Sequence, residues 1–425
     1  MANSYLSRTP SSASNRKTFT ISAWIKRSKL GTDQKIFAGG SPNSWISFET
    51  DDQFTFNIQN SGDTTTITTD RVFRDTSSWY HIVCAVDTTQ ATNTNRVKIY
   101  VNGVQETSLS ATTYPDQNDD SGFNNTGLHT VGRLNYASSG FFEGYISHLS
   151  FVDGAALTPT TFGGTDSTSG IWKFKAPSGV TWGTNGFHLK FENSGNLGLD
   201  SSGNSNTWTV NGNLKQALDT PSNVYANWNP LVKSQAQPTF ENGNTTVKSS
   251  ANSWRQSQST LGVTKGKWYF ECKNVVGNSM IGVSRPDINP NTAIPMNNNG
   301  TTFFYNQDGG EMRKDSVDTT ANYGTFSTSD IMGVAFDMDN KTITIYKNNS
   351  AIVTNYPVST HIDDVAVMNI NVYTSGEFVY TNFGNGYFGS TAITSAGSNG
   401  NGSLFEYDVP SGHYALNTKN INTYG

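Results

Sequence analysis

The residues able to do chemistry are dispersed along this chain, and no familiar catalytic constellation assembles from them. Glycoside hydrolysis needs two carboxylates facing one cleft, roughly 5–9 Å apart, most simply on alternate residues of one strand. Glu143 has no carboxylate two positions on, and Asp337 and Asp339 straddle a turn-like sequence. His81 and His148 fall inside strand-like patterns, and no two histidines have metal-ligand spacing. No serine occupies a Gly-flanked nucleophile elbow. Gly384-Asn385-Gly386-Tyr387-Phe388-Gly389 satisfies GxGxxG, but a Ser/Thr/Gly-rich stretch follows, so no helix N-terminus awaits a pyrophosphate. Cys84 and Cys272, each in an expected core strand, read as buried free thiols. The chain is expected to be non-enzymatic.

Binding chemistry remains. The densest oxygen cluster is Asp116-Gln117-Asn118-Asp119-Asp120. Either a Ca²⁺ ion held by Asp116, Asp119 and Asp120 or a plain solvated acidic loop accounts for it. Asp51-Asp52 is a weaker candidate of the same kind. A sugar is gripped by an aromatic plane beside amides or carboxylates that bond its hydroxyls. Tyr114, Phe123, Asn124, Asn125 and Tyr136 supply those types in expected loops of the first half.

The elements that must hold these loops are strands. Charged residues make up only 14% of the 425, well below the roughly 25% of an average domain, so the polarity comes from Ser, Thr, Asn and Gly. Those residues favour turns, and Thr with 24 Phe, 18 Tyr and 9 Trp favours sheets. No stretch of twelve residues carries a capped 3.6 period. The fold class is all-β: two jelly-roll-type antiparallel β-sandwiches joined by a small β-rich segment. WYHIVCAVDTTQATNTNRVKIYVNG, residues 79–103, opens with a run apolar on both faces, suited to a strand between two layers. It then alternates with period two up to Asn102-Gly103, a pair suited to a tight I′ turn. IMGVAFDMDNKTITIYKNN, residues 331–349, nearly repeats that pattern. Reuse of a small hairpin vocabulary, or two related sandwiches, explains the likeness. Turn signals place the first sandwich at 1–162 and a connecting β segment at 163–240, docked by Trp172, Trp182, Trp208 and Trp228. The second sandwich falls at 241–388. A flexible Gly/Ser/Asn stretch and a last strand at 404–410 occupy 389–425.

FTISAWIKRS, WYHIVCAVD, VKIYVNGVQ, HTVGRLNY and FEGYISHLSFVDGAALTP, in that order, resemble the laminin-G-like members of the concanavalin A-like jelly rolls. That family hosts lectins, adhesion modules and glucanases, and its members often hold Ca²⁺ in loops; the glucanases' E-x-D-x-x-E strand does not occur here. GKWYFE, GVAFDMDNKTITIYKNN and NFG resemble a SPRY domain, the core of the B30.2 sandwich. Such domains bind partners through loops at one end, which implies roles for Trp254, Arg255, Tyr305 and Asp308. The order of modules, with the PSGHYALNTKN ending, resembles structural proteins of phages, marine ones especially.

These resemblances imply a virion structural protein, a tail fibre or head decoration, that adheres to host-surface glycan or protein through sandwich loops. The alternatives are a purely architectural cement protein binding capsid or tail subunits and, behind it, a polysaccharide depolymerase. Its expected place is the virion surface after assembly in the host cytoplasm. The implied partners are other virion proteins and the host surface, with homo-oligomerisation open (a trimer if a fibre). Net charge is −5, and Lys26-Arg27 is the densest basic spot, so no nucleic-acid footprint is expected. No apolar run reaches the roughly 18 residues that span a bilayer, and MANSYLSRTP lacks a secretory plan, so no membrane insertion is expected.

Overall fold

Alternating strands and turns with positive φ build nearly all of the chain. The computed structural model describes residues 4–59, 64–232, 236–288, 298–306, 309–318 and 321–425. Asn102-Gly103 joins Val97–Val101 to Val104–Gln105 with φ of 48° and 84°. Asn348-Asn349 joins Thr342–Lys347 to Ser350–Pro357 with φ of 46° and 69°. Both pairs have the left-handed backbone of an I′ turn, which follows the twist of the strands. The chain divides into two units, Met1–Gln216 and Ala217–Gly425. The segment 163–240 is thereby shared between them and forms no third unit.

In the first unit, one sheet orders Leu109–Thr113, Thr64–Val72, Gln53–Gln59, Ser44–Phe48, Gln34–Gly39, His129–Val131, Tyr5–Arg8 and Thr209–Asn211. The other orders Phe187–Leu189, Gly144–Asp153, Thr18–Arg27, Tyr80–Asp87, Val97–Val101 and Val104–Gln105. Phe19, Ile21, Ala23 and Ile25 from the smaller sheet meet Phe37, Ile46, Phe54 and Phe56 from the larger in one core. Each such large side chain stabilises by about 1.5–3 kcal/mol when fully buried.

Tyr80–Asp87 is buried on both sides, as its doubly apolar pattern predicts. Ile82, Cys84 and Val86 enter the main core, while Val83 packs outward with Val152 and Phe162, beneath Leu157, Val180 and Trp182. Aromatic rings extend this outer layer. Trp172 Nε1 donates to His81 Nδ1 (2.9 Å), and the His81 ring stacks on Trp24 at 4.7 Å. Phe174 stacks on His148 at 3.7 Å and Trp182 on His188 at 5.6 Å. Burial pushes His81 down to about 3 and His148 and His188 to about 4, so all three pack as neutral rings. Asp200 forms the expected Asx turn, accepting from the backbone of His188, Ser202 and Asn206, and leads into Thr209–Asn211.

The second unit repeats the two-sheet plan. One sheet orders Thr239–Glu241, Thr246–Lys248, Phe378–Asn382, Lys267–Lys273, Ile331–Asp337, Thr342–Lys347 and Ser350–Pro357. The other orders Arg255–Val263, Ala366–Val372, Met280–Ser284, Thr301–Tyr305, Glu311–Lys314 and Val317–Asp318. Trp228, Trp268, Phe270, Val334, Ile345 and Ile370 lie in the core between them. Asp337 caps Asn340, and Asp339 accepts from the Gly266 amide, so this acidic pair belongs to turns. Tyr387–Phe388 pairs with Thr391–Ala392, and no helix follows the GxGxxG.

The C-terminal segment departs from expectation. Residues 404–410 make no regular strand, yet Phe405 and Val409 are buried against Tyr269 and Ala335. Tyr414–Ala415 instead joins Lys267–Lys273 in parallel, and Asn417 caps a short helix, Thr418–Tyr424, through the Asn420 amide. Glu271 fastens the segment: its carboxylate accepts from the backbone of Glu406 (2.8 Å) and Tyr407 (2.9 Å). These polar bonds and apolar anchors were hidden among Gly, Ser and Asn, whose abundance reads as flexibility. Among the described residues, no helix is long and apolar enough to cross a membrane.

Burial pushes the Glu271 carboxyl up to about 7 despite the donors around it. The folded state therefore holds this proton more tightly than the unfolded chain, whose glutamate titrates near 4.5. Stability of the second unit should fall as pH rises from 4.5 through 7, by on the order of 3 kcal/mol from this group. Denaturant unfolding across that range checks this: Glu271→Gln should be weaker at low pH but lack that share of the decline.

Candidate functional site

The strands that fill the first core also expose a patterned outer face. In Gln53–Gln59, Phe54, Phe56 and Ile58 point into the core, which sends Gln53, Thr55 and Asn57 outward. Register carries the pattern across the sheet: Asn57 stands opposite Trp45 on one side and Thr66 on the other. Thr55 stands between Ser47 and Thr68, and Ser47 opposite Lys35. The result is an open concavity of about 480 Å³. Trp45, Thr55 and Asn57 line it together with Thr66, Thr68, Ser110 and Ala111. Lys35, Glu49, Asp51 and Gln53 line it as well.

Its polar groups are mostly tied to one another. Lys35 Nζ lies 2.5 Å from Asp33 Oδ1, 3.5 Å from Glu49 Oε1 and 5.1 Å from the Trp45 ring centroid. Ser47 Oγ donates to Glu49 (2.6 Å), Ser110 Oγ to Gln53 Oε1 (3.1 Å), and the Thr55 and Thr68 hydroxyls bond each other (2.9 Å). Asn57 Nδ2 donates to Thr66 Oγ1 (3.2 Å), but its Oδ1 has no partner although the residue is only 4% exposed. A partly exposed indole beside short hydroxyl and amide side chains makes a surface suited to a polyhydroxylated ring. Glu49 and Asp51 lie two residues apart beside the turn after Ser44–Phe48, and the wall from Thr64–Val72 and Leu109–Thr113 contributes no acid.

The loop residues singled out in the first half fare differently. Phe123 is fully buried, its ring 5.0 Å from Phe37 and nearly parallel to it. Asn124 is buried with φ of 65°, donating to Asn15 O and Asp153 Oδ1 and accepting from Asn185. Asn125 is buried between Ser41 O and the Gly127 amide. These three are structural and present nothing to a ligand, because the loop folds inward to satisfy its amides within the unit. Tyr114 is half-buried against the core, while Tyr136 is 60% exposed. The acidic loop does not gather into a cage: Asp119 accepts from the Asp116 amide, and Asp120 pairs with Arg16. Among the described residues, no group of three His, Cys, Asp or Glu side chains is placed to hold a metal.

In the second unit Trp254 is half-buried with Met280, Phe303 and Tyr305, and the Tyr305 hydroxyl donates to Asn278. Arg255 is a clamp rather than a contact for a partner. It is buried, and its Nη1 donates to Ala251 O, Ser253 O and Ser249 Oγ, while burial lowers its pKa. Asp308 lies outside the described residues. Trp45 and Asn57 were missed because their neighbourhood comes from cross-strand register and no single segment shows it.

Residues 2–161 match the family described as the concanavalin A-like lectin/glucanases superfamily. No curated protein matches the chain. Among solved structures, the crystal structure of the SPRY domain of human HERC1 is 18% identical at a TM-score of 0.30, covering 36% of this chain and 96% of that one. The crystal structure of the TRIM65 PSpry domain is 13% identical at a TM-score of 0.31, covering 37% of this chain and 88% of that one. The family matched by residues 2–161 is the one that the first half of the sequence resembles.

Phe123→Ala should cost the first unit about 3–5 kcal/mol in denaturant unfolding, as removal of a core aromatic does. EDTA should leave the thermal midpoint unchanged, and a rise of several degrees on adding Ca²⁺ would show that the acidic loop holds an ion.

Proposed function

We propose that the protein is a non-catalytic adhesion protein that binds host-surface glycan on the concave face of its first sandwich. The observation that carries this reading is the partly exposed Trp45 indole in a trough of short hydroxyl and amide side chains. An indole stacks against the apolar face of a pyranose while amide and hydroxyl groups bond its rim, and the open trough admits a polymer passing through. The match of residues 2–161 to a lectin and glucanase superfamily supports a sugar ligand, and the ties of Glu49 to Lys35 and Ser47 support binding without cleavage.

We place this activity on a phage particle, as tail fibre or head decoration, on the strength of the module order described above. Immunogold labelling of intact particles tests that placement and separates tail from head.

A glycan array probed with the purified protein tests the ligand. Host-surface polysaccharide should be retained, and Trp45→Ala should weaken it at least tenfold while leaving the thermal midpoint within a few degrees. Silence across the array, together with tight binding to particles lacking the protein, would replace adhesion by the architectural role. Release of reducing ends would show a depolymerase instead.

A further inference from the structure

The polar atoms that the concavity leaves for a ligand are acceptors. They are the Glu49 and Asp51 carboxylates on the rim, with Asp51 exposed; Asn57 Oδ1, though unpartnered, is enclosed beneath the surface. Lys35 is the one cation among the described lining residues, and it is already spent. Its side chain is 6% exposed, and its ammonium sits between Asp33 and Glu49. Asp33 and Glu49 thus hold the ammonium, which lies 5.1 Å from the centroid of the partly exposed Trp45 ring, and Asp51 adds a third carboxylate on the rim. Gln53 Oε1 is occupied by Ser110, and the Thr55 and Thr68 hydroxyls by each other.

A ligand seated here must bring donors. Sugar hydroxyls satisfy that need, and an ammonium satisfies it better, because it gains charge-assisted bonds from the rim acids and can lie over the indole face. A uronate, sialate or sulfate brings only acceptors and negative charge, finds no free cation, and meets two carboxylates in a partly desolvated trough. We propose that this face takes neutral and amine-bearing glycans and excludes acidic ones. The inference rests on the glycan reading above and adds its charge selectivity.

Three hexasaccharides sharing β-1,4 linkage test it: glucosamine, N-acetylglucosamine and glucuronic acid, titrated into the intact protein by calorimetry. The glucosamine hexamer should bind at least as tightly as the N-acetylated one at low salt, and its advantage should shrink as NaCl rises from 20 to 300 mM. The glucuronate hexamer should bind at least tenfold more weakly than either. In the double variant Glu49→Gln, Asp51→Asn, the gap between amine and glucuronate should narrow to under threefold. Glucuronate binding as tight as the neutral hexamer in the unaltered protein would overturn the selectivity and leave the glycan reading standing. Binding by none of the three, with a silent array, would overturn the glycan reading and this inference with it.

Discussion

Everything on the candidate face follows from the period-two geometry of one buried strand. Phe54, Phe56 and Ile58 are held in the first core by burial, and nothing on the outside of the sheet competes with that demand. Gln53, Thr55 and Asn57 are then outward by geometry, and a slip of one residue would send three amides and hydroxyls into the core and three apolar groups to water. The neighbouring strands obey the same rule through Ile46 and Ile67, which brings Trp45 and Thr66 to either side of Asn57. Core packing therefore sets the spacing of the strand-borne groups on this face, and Glu49 and Asp51 come from the turn between two of its strands.

The opposite sheet is treated in the reverse way. Its outer surface is covered by Ala155, Leu157, Val180 and Trp182, with Val83, Val152 and Phe162 packed beneath them and imidazoles held neutral against aromatic rings. One broad face is thus sealed and the other left open and polar. This asymmetry explains why His81, His148 and His188 serve as flat packing surfaces.

Much of the architecture was legible in the residues. The doubly apolar Tyr80–Asp87 run, the Asn-Gly and Asn-Asn turns, and the ordered strands of both sandwiches all stand where the alternation puts them. The site was much less legible. Phe123, Asn124 and Asn125 have the composition of a sugar-binding loop, yet tertiary burial turned them inward, since buried amides must find partners and here they find them in Asn15, Asp153 and Ser41. The C-terminal stretch misled for a related reason. Composition describes how freely a segment could move in isolation, whereas Phe405, Val409 and the bonds to Glu271 determine how it is held.

Cys84 and Cys272 sit one in each core, fully buried and unbridged, and burial suppresses ionisation of both, pushing Cys272 up to about 12. A thiol in that state is inert to alkylating reagents until the structure around it opens. Each sandwich therefore contains its own built-in clock: the rate at which its single thiol is labelled measures how often that half breathes, independently of the other half and without any engineered probe.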